Sequence, residues 1–101
     1  MSGLNLDKID DVIHGRIRLG IMVYLASAES ADFNELKSVL DATQGNLSVH
    51  LRKLEEAGYI EVDKGYSGRK PLTRVRLTAK GRAAFAEYLS AMSNLLDKAS
   101  G

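Results

Sequence analysis

The sequence predicts an α+β domain that is mostly helical, with three helices, a β-hairpin and a long final helix. Four segments carry apolar residues every three or four positions, which is the spacing of one helix face. Two short segments before the last helix alternate apolar and polar residues, which is typical of half-buried strands. With 101 residues, 45% of them hydrophobic and 27% charged, the chain suits one globular domain over residues 1–101.

The first two helices are predicted over residues 10–28 and 33–40. Gly15 weakens the first of them and is expected to separate a short first turn from the main helix. Asp32 is a good N-cap for the second helix, and Glu35, three residues later, completes a capping-box pattern. The residues just before Asp32 are expected to form a simple connection.

The third helix is predicted over residues 44–57, after a tight turn. Thr43 can cap its start, and Gly58 stands where a left-handed glycine ends a helix. One face is apolar and is expected to enter the core, through Leu47, Leu51 and Leu54. The opposite face carries small, polar and basic residues, so we expect it to face outward.

A β-hairpin is predicted from two alternating segments, residues 59–63 and 74–78. The residues between them include two glycines, the only proline and three basic side chains. We call residues 64–71 the wing and expect a long, exposed, positively charged tip there. Thr78 then caps a last helix that extends to about Lys98.

The basic residues are unevenly distributed along the chain. The net charge is only +1, yet residues 43–82 contain nine basic and four acidic residues, a local net charge of +5. A polyanion responds to the local field of a surface more than to the total charge of the protein. The pattern fits a surface for nucleic acid and equally fits a solvated surface with uneven charge.

Two helices joined by a tight turn, the second with a small and polar outward face, predict a helix-turn-helix. Such a second helix enters the DNA major groove, where Gln44 and Asn46 can pair with adenine and Arg52 can reach guanine or a phosphate. Basic residues of the hairpin can reach the adjacent minor groove or backbone. The predicted DNA-binding residues are Thr43, Gln44, Gly45, Asn46, Ser48, Val49, Arg52, Lys53, Arg69, Lys70 and Arg74. For Arg74, a solvated strand face is an equally good interpretation.

Several motifs resemble a known family. They are Leu47-Ser48-Val49-His50-Leu51, the run from Leu54 to Ile60, Gly68-Arg69-Lys70-Pro71 in the wing, and Leu77-Thr78-Ala79-Lys80-Gly81. Together they resemble the winged helix-turn-helix DNA-binding domain of MarR/ArsR-like transcriptional regulators of the compact, one-domain type. The resemblance covers residues 13–85.

The resemblance implies a homodimeric transcriptional regulator that binds double-stranded DNA. Residues 44–57 would lie in the major groove, and the wing would lie on the minor groove or backbone. The terminal helices, residues 10–28 and 79–98, would form the dimer interface. Two alternatives remain open, a winged-helix module for protein–protein interaction and a nonspecific architectural DNA-binding protein.

The apolar face of the last helix continues beyond what a small core needs, which favours burial against a second copy of the chain. The residues predicted at this interface are Tyr88, Leu89, Met92, Leu95 and Leu96. The alternative is packing of the same residues on the first helix of the same chain.

The sequence offers little support for other classes of protein. Without cysteine it has no disulfides and no thiolate metal site, so the metal response of the metal-sensing branch is not available. We expect no cofactor, no metal, no enzymatic activity and no membrane span. His14 and His50 are interpreted as packing residues, His50 half-buried. We expect a cytoplasmic protein, associated with the nucleoid of a bacterium or archaeon. A small-molecule effector is left open, since no residue identifies one.

Overall fold

The computed structural model describes residues 6–100, and its order of elements is the predicted one with one strand added. The predicted fold class, α+β and mostly helical with a winged helix-turn-helix, is confirmed. The elements are α1 Arg16–Ser27, β1 Ala31–Asp32, α2 Phe33–Val39, α3 Gln44–Glu56, β2 Ile60–Ser67, β3 Lys70–Leu77 and α4 Ala79–Ser100.

Helix α1 begins at Arg16, so the prediction of a helix from residue 10 is wrong at its start. A separate turn precedes it, held by Asp10, whose Oδ1 accepts hydrogen bonds from the backbone N–H groups of Val12 and Ile13. Gly15 stands between this turn and α1 in an extended conformation. Its interpretation as a break is therefore confirmed.

The helix-turn-helix formed by α2 and α3 has the predicted caps. Asp32 and Glu35 form a complete capping box, with 2.8 Å between the Glu35 backbone N and Asp32 Oδ1. The Thr43 hydroxyl accepts from the backbone N–H of Asn46 at 3.1 Å. After α3, Gly58 has a φ of +83°, the left-handed conformation predicted for a C-cap glycine.

The strand β1 was not predicted. It pairs antiparallel with β3, Ala31 opposite Val75 and Asp32 opposite Arg74, which makes a three-stranded sheet in the order β1-β3-β2. A strand of two residues is too short to show alternation, and it exists because the edge of β3 offers backbone hydrogen bonds.

The hairpin of β2 and β3 is longer than predicted, and its tip is short. Pairing extends as far as Ser67 opposite Lys70, so the tip consists of Gly68, with a φ of +64°, and Arg69. The expectation of a long loop over residues 64–71 is thus wrong. Antiparallel pairing uses backbone hydrogen bonds, so polar residues and glycines can take part in it. The two strands therefore extend through most of the wing.

The core joins all the helices and the sheet. Its completely enclosed side chains are Ile13, Ile21, Met22, Leu25, Leu36, Leu47, Leu54 and Val75. Helix α4 contributes Phe85, Tyr88 and Ala91, and from Met92 to Ser100 none of its residues is buried. Within residues 6–100, no helix is both long and apolar enough to cross a membrane.

Candidate nucleic-acid interface

Helix α3 separates its residues cleanly into a core face and an outward face. Leu47, Leu51 and Leu54 are buried, as the helical spacing predicted. Every predicted DNA-binding residue at the start of and along α3 is exposed: Thr43, Gln44, Gly45, Asn46, Ser48, Val49, Arg52 and Lys53. The structure therefore leaves all eight residues accessible to a partner.

Two of these residues have features that packing within the chain does not explain. Val49 is apolar and β-branched, yet it is 51% exposed. Gly45 lies inside a helix, where glycine is unfavourable, and a Cβ added to it would meet no atom of the protein within 4 Å. Both residues leave room for another molecule to approach α3 closely.

A groove of about 430 Å³ lies between the outward face of α3, the start of α2 and the hairpin. Three of its lining residues, Gln44, Ser48 and Arg52, are predicted DNA-binding residues. On the hairpin side, the lining includes Lys64 and Thr73, which the sequence analysis did not assign. The groove thus joins the helix and the hairpin into one concave surface.

The register of the hairpin decides which of its side chains face this groove. Ile60 and Val62 point toward the core, and Lys64 and Tyr66 follow them on the same side because strand residues alternate between faces. We call this the inner face of the hairpin. The outer face of β2 carries Glu61 and Asp63.

The DNA-binding residues predicted on the hairpin do not line the groove. Arg69 is at the tip, Lys70 lies opposite Ser67, and Arg74 lies on the outer face, opposite Asp63. All three arginine and lysine side chains are exposed, and none contributes to the groove. The alternation Ile60, Val62, Lys64 in the sequence was the signal that could have identified Lys64.

His50 connects α3 to α1. Its Nδ1 is 2.9 Å from Nη1 of Arg18, and since a guanidinium can only donate, Nδ1 accepts and the ring proton is on Nε2. Partial burial lowers the pKa of His50, and the positive charges of Arg18 and Lys53 lower it further. The half-buried histidine is therefore neutral and holds α3 against α1.

The predicted dimer residues divide into two groups. Tyr88 is only 2% exposed within a single chain, and its hydroxyl is 2.8 Å from Nδ1 of His14. The prediction that Tyr88 contacts a second copy is corrected, since its side chain has no free surface to bury. Burial raises the pKa of this tyrosine. The other four keep free surface: Leu89 and Leu96 are exposed, and Met92 and Leu95 are half-buried.

Comparison with known proteins assigns the chain to a family. A family model described as a winged helix DNA-binding domain matches residues 17–96. The uncharacterized protein MJ0432 of Methanocaldococcus jannaschii is 38% identical over 78 residues, which are 77% of this chain and 85% of that protein.

Solved structures agree with this assignment. The transcriptional regulator homologue of Pyrococcus horikoshii OT3 superposes with a TM-score of 0.84 at 32% identity, covering 91% of this chain and 92% of that one. A protein assigned to the MarR family of transcriptional regulators, from Enterococcus faecalis V583, gives 0.72 at 25% identity, covering 94% and 81%. The MarR resemblance of the sequence is confirmed, and the chain belongs to the winged helix DNA-binding domain family as a transcriptional regulator of the MarR type.

Proposed function

We propose that this chain is a sequence-specific regulator that binds double-stranded DNA as a homodimer, with α3 in the major groove and the wing on the neighbouring minor groove or backbone. The observation that carries the proposal is the outward face of α3. Its predicted DNA-binding residues are all exposed, it is free of bulky apolar side chains other than Val49, and it is continuous with a basic hairpin across the groove.

The chemistry of this face suits the edges of bases. The amides of Gln44 and Asn46 can each donate and accept, which is the pattern that adenine requires in the major groove. Arg52 suits guanine or a phosphate, and the exposed methyl groups of Val49 suit the methyl group of thymine. These three kinds of contact would give α3 a means to discriminate between sequences.

The apolar surface of α4 supports a dimer. Leu89 is 50% exposed and Leu96 60% exposed, and no residue of α4 beyond Ala91 is buried by the described part of the chain. A second copy related by a two-fold axis would cover this surface with the same residues. Two recognition helices arranged in this way would read half-sites about one turn of DNA apart, roughly 34 Å.

The first experiment measures fluorescence anisotropy of a randomised duplex pool over a salt series, with sequencing of the duplexes that bind. We expect affinity to fall steeply with salt, because each neutralised phosphate releases counterions. We also expect enrichment of an inverted repeat. Binding without enrichment would indicate an architectural protein, and no binding at low salt would favour a protein-interaction module; either result contradicts the proposal.

The variant Asn46→Ala tests base reading directly. The selected duplex should lose about 1–3 kcal/mol of binding free energy, while random duplex loses little, because phosphate contacts do not depend on sequence. The random duplex is the internal control for folding. An equal loss on both duplexes would show that Asn46 does not read a base.

A pair of charge variants tests the dimer. Leu89→Lys combined with Leu96→Lys should give the monomer mass in sedimentation equilibrium, since it places four like charges in a two-fold interface. Val39→Lys on α2 is the matched control, because Val39 is equally exposed, at 52%, but lies away from α4. A monomeric wild-type chain, or a double variant that remains dimeric, would contradict this arrangement.

A further inference from the structure

The outer face of the hairpin has its positive charge balanced by acids. Arg76 lies opposite Glu61, and Arg74 lies between Asp63 on β2 and Asp32 on β1. Opposite charges that face each other across a strand pair attract, so each arginine has a carboxylate available beside it. A phosphate approaching this face meets arginines whose field is already partly compensated.

The inner face has the opposite character. Lys64 is exposed and lies opposite the uncharged Thr73, and both residues line the groove beside α3. Arg52 lines the same groove from the helix side, with Glu55 as its acidic neighbour. Because no acid faces Lys64 across the strand pair, its charge is available to a phosphate in the groove.

Tyr66 extends the inner face toward the tip. It lies two residues beyond Lys64, about 6.6 Å along the strand, and opposite Pro71. Its side chain is 76% exposed, so most of the ring is accessible to a partner. At the tip, a Cβ added to Gly68 would meet nothing within 4 Å, so no nearby side chain or backbone atom crowds that end of the hairpin.

We propose that the inner face of the hairpin, and not its outer face, holds the DNA strand: Lys64 binds a phosphate, and the ring of Tyr66 packs on the adjacent deoxyribose. This inference rests on the proposed DNA binding and assigns the contact to one side of the hairpin. A tyrosine ring suits this position because a deoxyribose offers an apolar surface, while the hydroxyl can stay in water.

The test compares four variants on a fluorescent duplex of mixed sequence, from about 50 to 200 mM salt. Lys64→Ala should reduce the slope of log affinity against log salt by about 0.9 per protomer, the value for one phosphate contact. Arg76→Ala is the matched control, since Arg76 lies on the outer face of β3, opposite Glu61, and is not among the predicted DNA-binding residues. It should leave the slope unchanged.

Tyr66 gives a different signature because its contact is not ionic. Tyr66→Ala should weaken binding about tenfold at every salt concentration, because apolar contact is lost, and should leave the slope of log affinity against log salt unchanged. Tyr66→Phe should bind like the wild type if the ring carries the contact. Since Tyr66 is on the surface, unchanged thermal denaturation of both variants will show that the hairpin is intact.

The outcomes separate this inference from the proposed function. If the wild type shows no salt-dependent binding, both are wrong. If the wild type binds but Lys64→Ala keeps the full slope, or Arg76→Ala reduces the slope as much as Lys64→Ala does, DNA binding stands and the assignment of the phosphate contact to the inner face is overturned. Tyr66→Ala with wild-type affinity would overturn the role of the ring.

Discussion

Replacement of Gly81 by alanine tests how closely α4 approaches the end of α3. A Cβ on Gly81 would lie 2.0 Å from the carbonyl oxygen of Tyr59 and 2.8 Å from its carbonyl carbon. Ordinary contact begins at 3.4 Å, so the helix and this backbone must separate by about 1.4 Å. Backbone cannot rotate aside as a flexible side chain can, and the strain must therefore be relieved by moving α4.

The cost follows from what that movement breaks. The backbone N–H of Thr78 donates to the Tyr59 carbonyl at 3.0 Å, and the Thr78 hydroxyl donates to the Gly58 carbonyl at 2.6 Å. Each bond contributes about 0.5–1.5 kcal/mol, and overpacking costs a further 1–3 kcal/mol or so. Alanine is more favourable than glycine inside a helix by up to about 1 kcal/mol, which offsets part of this cost. We expect a net loss of roughly 3 kcal/mol from the free energy of unfolding.

Urea denaturation followed by far-ultraviolet circular dichroism measures this loss, at one protein concentration for all variants. Gly45→Ala is the matched control. Gly45 also lies in a helix but its added Cβ meets no protein atom, so this variant should gain up to about 1 kcal/mol. If Gly81→Ala is as stable as Gly45→Ala, the close approach of α4 to Tyr59 is refuted.

Three further predictions concern single side chains. Asp32→Ala should lower the free energy of unfolding by about 1 kcal/mol, whereas Asp32→Asn keeps the cap and should cost little; thermal denaturation compares them. Because burial and Arg18 lower the pKa of His50, the free energy of unfolding of the wild type should fall as pH drops through 6.5. It should fall less in His50→Gln, and equal losses of the two proteins in urea denaturation would contradict this. The hydrogen bond to Asp10 raises the pKa of Tyr59 to about 12, so stability should be lost as pH rises from 10 toward 12. Tyr59→Phe should lack that loss, and the phenolate absorbance that appears last in the wild type, near pH 12, should be missing from this variant.

The candidate site was predictable on α3 because a helix imposes a fixed geometry on its own residues. Once Leu47, Leu51 and Leu54 are assigned to the core, the outward positions follow at 100° per residue, and all are exposed in the structure. The hairpin was different. The polar composition of the wing does not distinguish loop from strand, so the sequence pointed to Arg69 and Lys70 by charge. The alternation of Ile60, Val62 and Lys64 became informative once the register showed that β2 continues to Ser67.

The sequence by itself determined the local features. Asp32 with Glu35, Thr43 and Gly58 set the ends of α2 and α3, and these caps involve residues within a few positions of each other. Hydrophobic periodicity likewise specified the four helices, because it depends on the chain alone.

Only the tertiary structure decided features that need two distant segments. Strand β1 exists because Ala31 meets the edge of β3 at Val75, and Tyr88 is buried because α4 packs it into the hydrophobic core, where its hydroxyl contacts His14. The choice between the inner and outer faces of the hairpin is of the same kind, since it depends on which side of the sheet α3 packs against. Contacts between segments far apart in sequence depend on how all the elements pack together, so a local pattern of residues does not predict them.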